Sequence, residues 1–168
     1  MQNRYLLLFF YVLFACVSVT LSACDSATTL EDLNEPLLKD FDRETLTLET
    51  SDGRSLDFFI YVAQSDEEMK QGLMFVEDLP DETGMLFRYK RRRIGSMWMK
   101  NTLIPLDIIF IKSDGKISDI HENATPKSLK SLRSKRQVKG ALELIGGSAK
   151  KYNIRVGDKI RHEHFGTQ

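Results

Sequence analysis

The stretch Glu44-Thr45-Leu46-Thr47-Leu48-Glu49, then Ser51-Asp52-Gly53-Arg54, then Leu56-Asp57-Phe58-Phe59-Ile60-Tyr61-Val62 decides the fold class. Leu46 and Leu48 alternate with polar residues, and Leu56, Phe58, Ile60 and Val62 share one face of a second strand. Asp-Gly between two alternating runs is hairpin chemistry, because glycine supplies the positive φ that such turns need. Period-two patterning with turn signals recurs downstream. Met85 to Tyr89 and Ser96 to Thr102 read as strands, and Ile108 to Ile111 as a strand buried on both faces. Ser113-Asp114-Gly115 leads into Lys116 to His121, and Val138 to Ile145 and Asp158 to His164 close the set. Two short helices interrupt it. Ser65 with Glu68 forms a capping-box pattern that Gly72 ends, and a second helix lies near Ser148 to Tyr152. The expected fold is mainly β: a compact antiparallel β-sandwich, jelly-roll-like or barrel-like domain with one or two short helices.

Upstream of this domain, residues 44–168, the composition changes twice. Arg4 is the only charge before Asp25, and Tyr5 to Leu21 is an apolar run ending in Leu21-Ser22-Ala23-Cys24. A short charged start and an apolar core are the layout of a secretory signal, here residues 1–23. The ending resembles the lipobox of bacterial lipoproteins, in which the chain is cut before the cysteine and the cysteine is acylated. An uncleaved membrane helix is the competing reading. Either one tethers the chain to a membrane. If Cys24 carries two or three acyl chains the anchoring is stable. The expected place is the cell envelope, facing the periplasm or the exterior, and Asp25 after the cysteine resembles an inner-membrane retention signal. Residues 24–43 then form a lipidated cysteine and an acidic tether. From Asp25 to Arg43 there are six carboxylates against Lys39 and Arg43, a net of −4.

The net charge of zero over 168 residues is therefore a sum of unlike parts. The domain carries 21 basic and 18 acidic residues, a net of +3 that provides no strong field for nucleic acid. Cys16 leaves with the signal and Cys24 would be acylated, so no thiol is left for a disulfide, a thiolate metal site or a catalytic nucleophile. The domain must be held by its core.

Several blocks together carry a family resemblance: Gln71-Gly72-Leu73-Met74, Gly84-Met85-Leu86-Phe87, Trp98-Met99-Lys100-Asn101-Thr102 through Ile104-Pro105-Leu106-Asp107, Leu142-Glu143-Leu144, Gly146-Gly147 and Gly157-Asp158. In these the chain resembles the DUF192 family, a set of uncharacterised bacterial and archaeal proteins. The resemblance implies a compact, mostly antiparallel β domain and no established activity. Members often carry an arginine shortly after Gly-Leu-Met; here Phe75 is followed by Val76.

The block around Trp98 is the richest in polar groups. Trp98, Lys100, Asn101 and Asp107 are the candidate ligand-binding residues, with the indole suited to a sugar ring or an apolar ligand. The competing reading is that Asn101 and Asp107 satisfy backbone amides in a tight connection. Asp107, with Glu143 or His121, is the candidate set for acid–base chemistry in a hydrolase or transferase. A structural partner in an envelope complex is a third class. Five of the six methionines fall between Met69 and Met99, and Met97 and Met99 are the candidates for a soft metal such as copper(I). Core filling is the alternative, and no cofactor is expected. His162 and His164 read as solvated histidines near the C-terminus. Two basic clusters, 88–93 and 127–139, read as solvated loops able to contact anionic headgroups or an anionic envelope polymer.

Overall fold

The computed structural model describes residues 37–167. The signal segment, Cys24, Asp25 and most of the acidic tether lie outside the described residues. Seven strands run in chain order: β1 (Asp42–Glu49), β2 (Ser55–Ala63), β3 (Thr83–Met97), β4 (Leu106–Ile111), β5 (Ile117–Ala124), β6 (Leu132–Ile145) and β7 (Lys159–Arg161). A helix α1 (Asp66–Gln71) separates β2 from β3, and α2 (Ser148–Lys151) separates β6 from β7. The strands make one sheet in the order β5-β4-β6-β3-β2-β1-β7. The sheet curls until its edges meet. Lys116 bridges Lys159, and the Ile160 N–H donates to the Gly115 carbonyl at 2.8 Å.

The hairpin of β1 and β2 forms as its alternation predicts, with Leu46 opposite Phe58 and Leu48 opposite Leu56. All pairs are antiparallel except one. β2 and β3 are parallel, with Ile60 beside Gly84 and Val62 beside Leu86. A parallel pair needs a crossover, and residues 64–82, which contain α1, supply it. Ser65 caps α1 as expected: its hydroxyl accepts from the Glu68 N–H at 3.2 Å, and the Glu68 carboxylate accepts from the Ser65 N–H at 2.8 Å.

Two apolar layers follow from this curl. The inner one holds Leu46, Leu48, Phe58, Ile60, Leu142 and Ile160 among others. The outer one lies between the sheet and the crossover and loops that cover it, and includes Leu73, Met85, Phe87, Ile108 and Phe110. β4 is buried at all six positions because it sits between both layers, with Ile108 and Phe110 outward and Ile109 and Ile111 inward. Leu38 and Phe41 are also buried in the outer layer. The tether expected to run to Arg43 therefore gives way earlier, since two apolar side chains in an acidic segment are enough to pin it.

Three further expectations change. The strand read from Ser96 to Thr102 ends at Met97, and 98–102 turn away, with Asn101 at φ 57°. The basic cluster 88–93 lies within β3 rather than in a loop, with Arg88 and Arg93 paired to β6 on either side of a bulge, and residues 132–139 of the second cluster belong to β6. His162 is buried rather than solvated; its Nε2 lies 2.8 Å from the Glu44 carboxylate, and Arg88 pairs with the same carboxylate. Closure of the curled sheet brings the C-terminal turn over β1 and β3, which linear spacing does not disclose.

Candidate functional site

The motif blocks mate in pairs. The Asp107 carboxylate accepts from the backbone N–H groups of Asn123 at 2.7 Å, Gly147 at 3.2 Å and Ala149 at 2.7 Å. Alongside, the Gly146 N–H donates to the Pro105 carbonyl at 2.8 Å. Asp107 is fully buried, and these three donors account for its burial. The Gly157-Asp158 block works the same way, Asp158 accepting from Ser51 at 2.8 Å and Arg155 at 2.7 Å. These carboxylates hold turns together.

Glu143 is different. It lies on β6 opposite Met85 on one side and Ile108 on the other, so its side chain joins the outer apolar layer. It is 4 % exposed, and among the described residues no hydrogen bond or ion pair reaches its carboxyl. Desolvation alone pushes its pKa up to about 8, so the group is mostly a neutral acid at pH 7. A buried carboxyl normally has partners. This one lines a cavity of about 80 Å³ bounded by α1, the turn after it, and the end of β3. Met74, Phe87, Met97, Trp98, Lys100 and Thr102 share that lining.

The walls are two turns locked to each other. The Phe75 N–H donates to the Asn101 carbonyl at 2.9 Å, and the Asn101 side-chain amide reaches the Met74 sulfur at 3.7 Å. Both turns carry a non-glycine residue at positive φ, Phe75 at 65° and Asn101 at 57°. Trp98 is half exposed at the mouth, with the Lys100 ammonium 5.3 Å from its ring centre. Trp98, Lys100 and Glu143 are thus brought together, with Asn101 in the wall, while Asp107 is not among them. Asp107 and Glu143 point to opposite faces of the sheet, because Glu143 is paired with Ile108, the next residue along β4. His121 shares the Glu143 face but is also paired with Ile108, which puts it two strand spacings away, about 10 Å. Its Nε2 lies 3.0 Å from the Arg133 carbonyl.

Of the methionines, Met97 lines the cavity together with Met69 and Met74, whereas Met99 is fully buried in the outer layer. The Met97 sulfur takes the Tyr89 hydroxyl at 3.6 Å. Among the described residues there is no cluster of three or more His, Cys, Asp or Glu side chains able to hold a metal. In the sequence Glu143 stands only as an acid–base partner for Asp107. Its glutamate between two leucines was the signal: in an alternating strand it faces away from both, toward a layer that only the crossover creates.

Comparison with known proteins adds the family. Residues 47–162 match the model of DUF192, described as an uncharacterised conserved group. The chain belongs to the DUF192 family. Every block quoted for the resemblance lies inside that span. A crystal structure from Sinorhizobium meliloti 1021, described as a candidate transcription regulator, is similar to this DUF192 chain at 38 % identity. That match covers 74 % of this chain and 96 % of the other, with a TM-score of 0.72. A protein of unknown function from Novosphingobium aromaticivorans DSM 12444 is 34 % identical over 71 % of this chain and 85 % of its own, with a TM-score of 0.69. No curated protein matches this DUF192 chain.

Proposed function

We propose that this DUF192 protein is an envelope lipoprotein, acylated at Cys24, whose domain is a non-enzymatic binding module for a small molecule or glycan. The observation that carries the binding reading is the unpartnered Glu143 carboxyl at the wall of a small cavity with Trp98 and Lys100 at its mouth. A neutral carboxylic acid both donates and accepts, so it suits a hydroxyl, carbonyl or carboxylate group on a ligand. Trp98 offers an apolar face for the rest of that ligand. Acid–base catalysis has less support, since Asp107 and Glu143 lie on opposite faces and His121 is two strands from Glu143. Reading DNA, as the description of the Sinorhizobium protein suggests for that protein, usually takes a helix or ribbon set in a groove. The two α-helices that lie wholly within the described residues are six and four residues long.

The test of binding is a thermal-shift screen of the full chain with sugars, short carboxylates and amino acids, repeated on Glu143→Ala and Trp98→Ala. A compound that stabilises the natural chain and neither variant supports the reading; equal stabilisation of all three removes the cavity as the site. For the anchor, the natural chain should incorporate labelled fatty acid and Cys24→Ser should not. Placement in the inner membrane, the lean given by Asp25, is read by fractionation.

A further inference from the structure

Three large apolar side chains stand out of the surface near the cavity mouth: Phe75, Trp98 and Leu129, at 54 %, 50 % and 69 % exposure. They come from three segments laced by backbone bonds. Phe75 bonds to Asn101 at 2.9 Å, Met99 to Ser128 at 3.0 Å, and Lys127 to Thr102 at 3.1 Å. The same segments, residues 72–76, 98–102 and 125–131, carry Lys100, Lys127 and Lys130 and no carboxylate. All three lysines are exposed. We propose that this rim docks on the bilayer in which the protein's own N-terminus is anchored, taking anionic lipid headgroups as its partner.

The point where the tether joins the domain decides between a bilayer and another partner. The Gln71 side-chain amide donates to the Leu37 carbonyl at 2.6 Å, and Leu38 and Phe41 are buried beside it. Gln71 also lines the Glu143 cavity with Trp98 and Lys100. The chain that leads back to Cys24 therefore reaches the domain at the rim itself. Twelve residues lie between Cys24 and Leu37, with a greatest span of about 45 Å. That keeps this end of the domain within reach of the membrane at all times and raises the effective concentration of lipid at the rim.

The chemistry of the rim agrees with that placement. Tryptophan has an apolar body and a polar N–H and settles at the headgroup level. Phe75 and Leu129 supply apolar insertion without charge, and the three lysines supply attraction, each worth about a five-fold gain near an anionic surface. In the other basic cluster, 88–93, Arg88 pairs with Glu44 and the Arg93 guanidinium lies 3.9 Å over the Tyr89 ring, while Lys90, Arg91 and Arg92 are exposed on β3, outside the three rim segments. Docking would bring the cavity mouth to the headgroup layer, because Trp98 and Lys100 belong to both.

The proposal rests on the acylated anchor and is tested with it. Trp98 is the only tryptophan in the chain, so its emission reports the rim directly. The full acylated chain is mixed with vesicles of phosphatidylcholine, or of phosphatidylcholine with phosphatidylglycerol, each with brominated acyl chains. Flotation reads the anchor; quenching of Trp98 by the bromolipid reads the docking. The expected result is flotation in both lipids, with strong quenching in the anionic vesicles that drops at least about two-fold in the triple variant K100A/K127A/K130A. Flotation with no bromolipid quenching would overturn the docking and leave the anchor standing. Trp98 shielded from iodide yet unquenched by bromolipid would overturn it in favour of a protein partner. Failure to float would sink the anchor and the docking together.

Discussion

Phe75 and Asn101 meet head-on: the Phe75 N–H donates to the Asn101 carbonyl at 2.9 Å, and both residues have left-handed backbones. A bulky side chain at φ 65° is strained, and Phe75 gains little in return from packing, being 54 % exposed. Strain kept at an exposed aromatic suggests that the side chain serves the rim rather than the fold. Phe75→Gly should therefore keep or raise stability, by up to about 1 kcal/mol. Asn101→Ala should cost about 1 kcal/mol, since alanine tolerates the left-handed region less well than asparagine. Denaturant midpoints read both, and a large loss in Phe75→Gly would show that its ring packs after all.

Asp107 should behave as a structural carboxylate. It satisfies three backbone N–H groups that bind β4 to Asn123 near the end of β5 and to the start of α2. Asp107→Ala should cost about 3 kcal/mol or more, enough to lower the melting temperature by roughly 10 °C. Asp107→Asn keeps an acceptor oxygen and should lose less. A melting curve settles it; an Asp107→Ala chain as stable as the natural one would return Asp107 to the list of functional groups.

Glu143 gives the domain a pH dependence of definite sign. Its folded pKa of about 8 stands above the ordinary 4.5, so the folded state holds the proton that the unfolded state releases. The Glu143 contribution is fully present below about pH 4.5, falls as pH rises, and has dropped by on the order of 5 kcal/mol once pH exceeds about 8. Glu143→Gln removes the charge and should remove that slope. The variant should match the natural chain near pH 4 and exceed it above pH 8, as read from melting temperatures across that range. Parallel profiles for the two chains would mean that the carboxyl is solvated or paired when folded.

Gly84 explains one motif glycine by close approach. A Cβ placed there would lie 2.5 Å from the Glu143 carbonyl oxygen and 2.6 Å from a Leu144 methyl. Backbone cannot move aside as a long side chain can, so Gly84→Ala should cost at least about 2 kcal/mol. Since β3 and β6 separate at the strand that carries Glu143, ligand stabilisation should weaken in the same variant. A thermal melt with and without ligand checks both effects.

Much of the architecture was legible from local pattern. Alternation in 44–62, the Asp-Gly turns and the Ser65–Glu68 box depend on neighbours a few residues apart, and the strands, hairpin and α1 followed from them. The parallel seat of β3 beside β2 did not, because a crossover says nothing in sequence about where its far end returns. The turn at 98–102 was hidden for a related reason. Trp98 and Met99 continue the apolar end of β3, and the turn is held by its own Thr102 N–H to Met99 carbonyl bond at 3.1 Å together with bonds to Phe75, Lys127 and Ser128, which lie far off in sequence.

The site divides along the same line. Sequence by itself determined the β class, the family-defining blocks, the apolar run from Tyr5 to Leu21 with Cys24 shortly after it, and the residue types Trp98, Lys100 and Glu143. Tertiary structure alone decided which carboxylate was spent on the fold and which was left unpartnered. Asp107 and Glu143 are both acidic residues in apolar strands, alike in sequence. One faces three backbone donors, and the other faces a cavity made by a crossover some sixty to eighty residues earlier in the chain. A side chain's polar partners are set by long-range pairing, and a single sequence carries that information only implicitly.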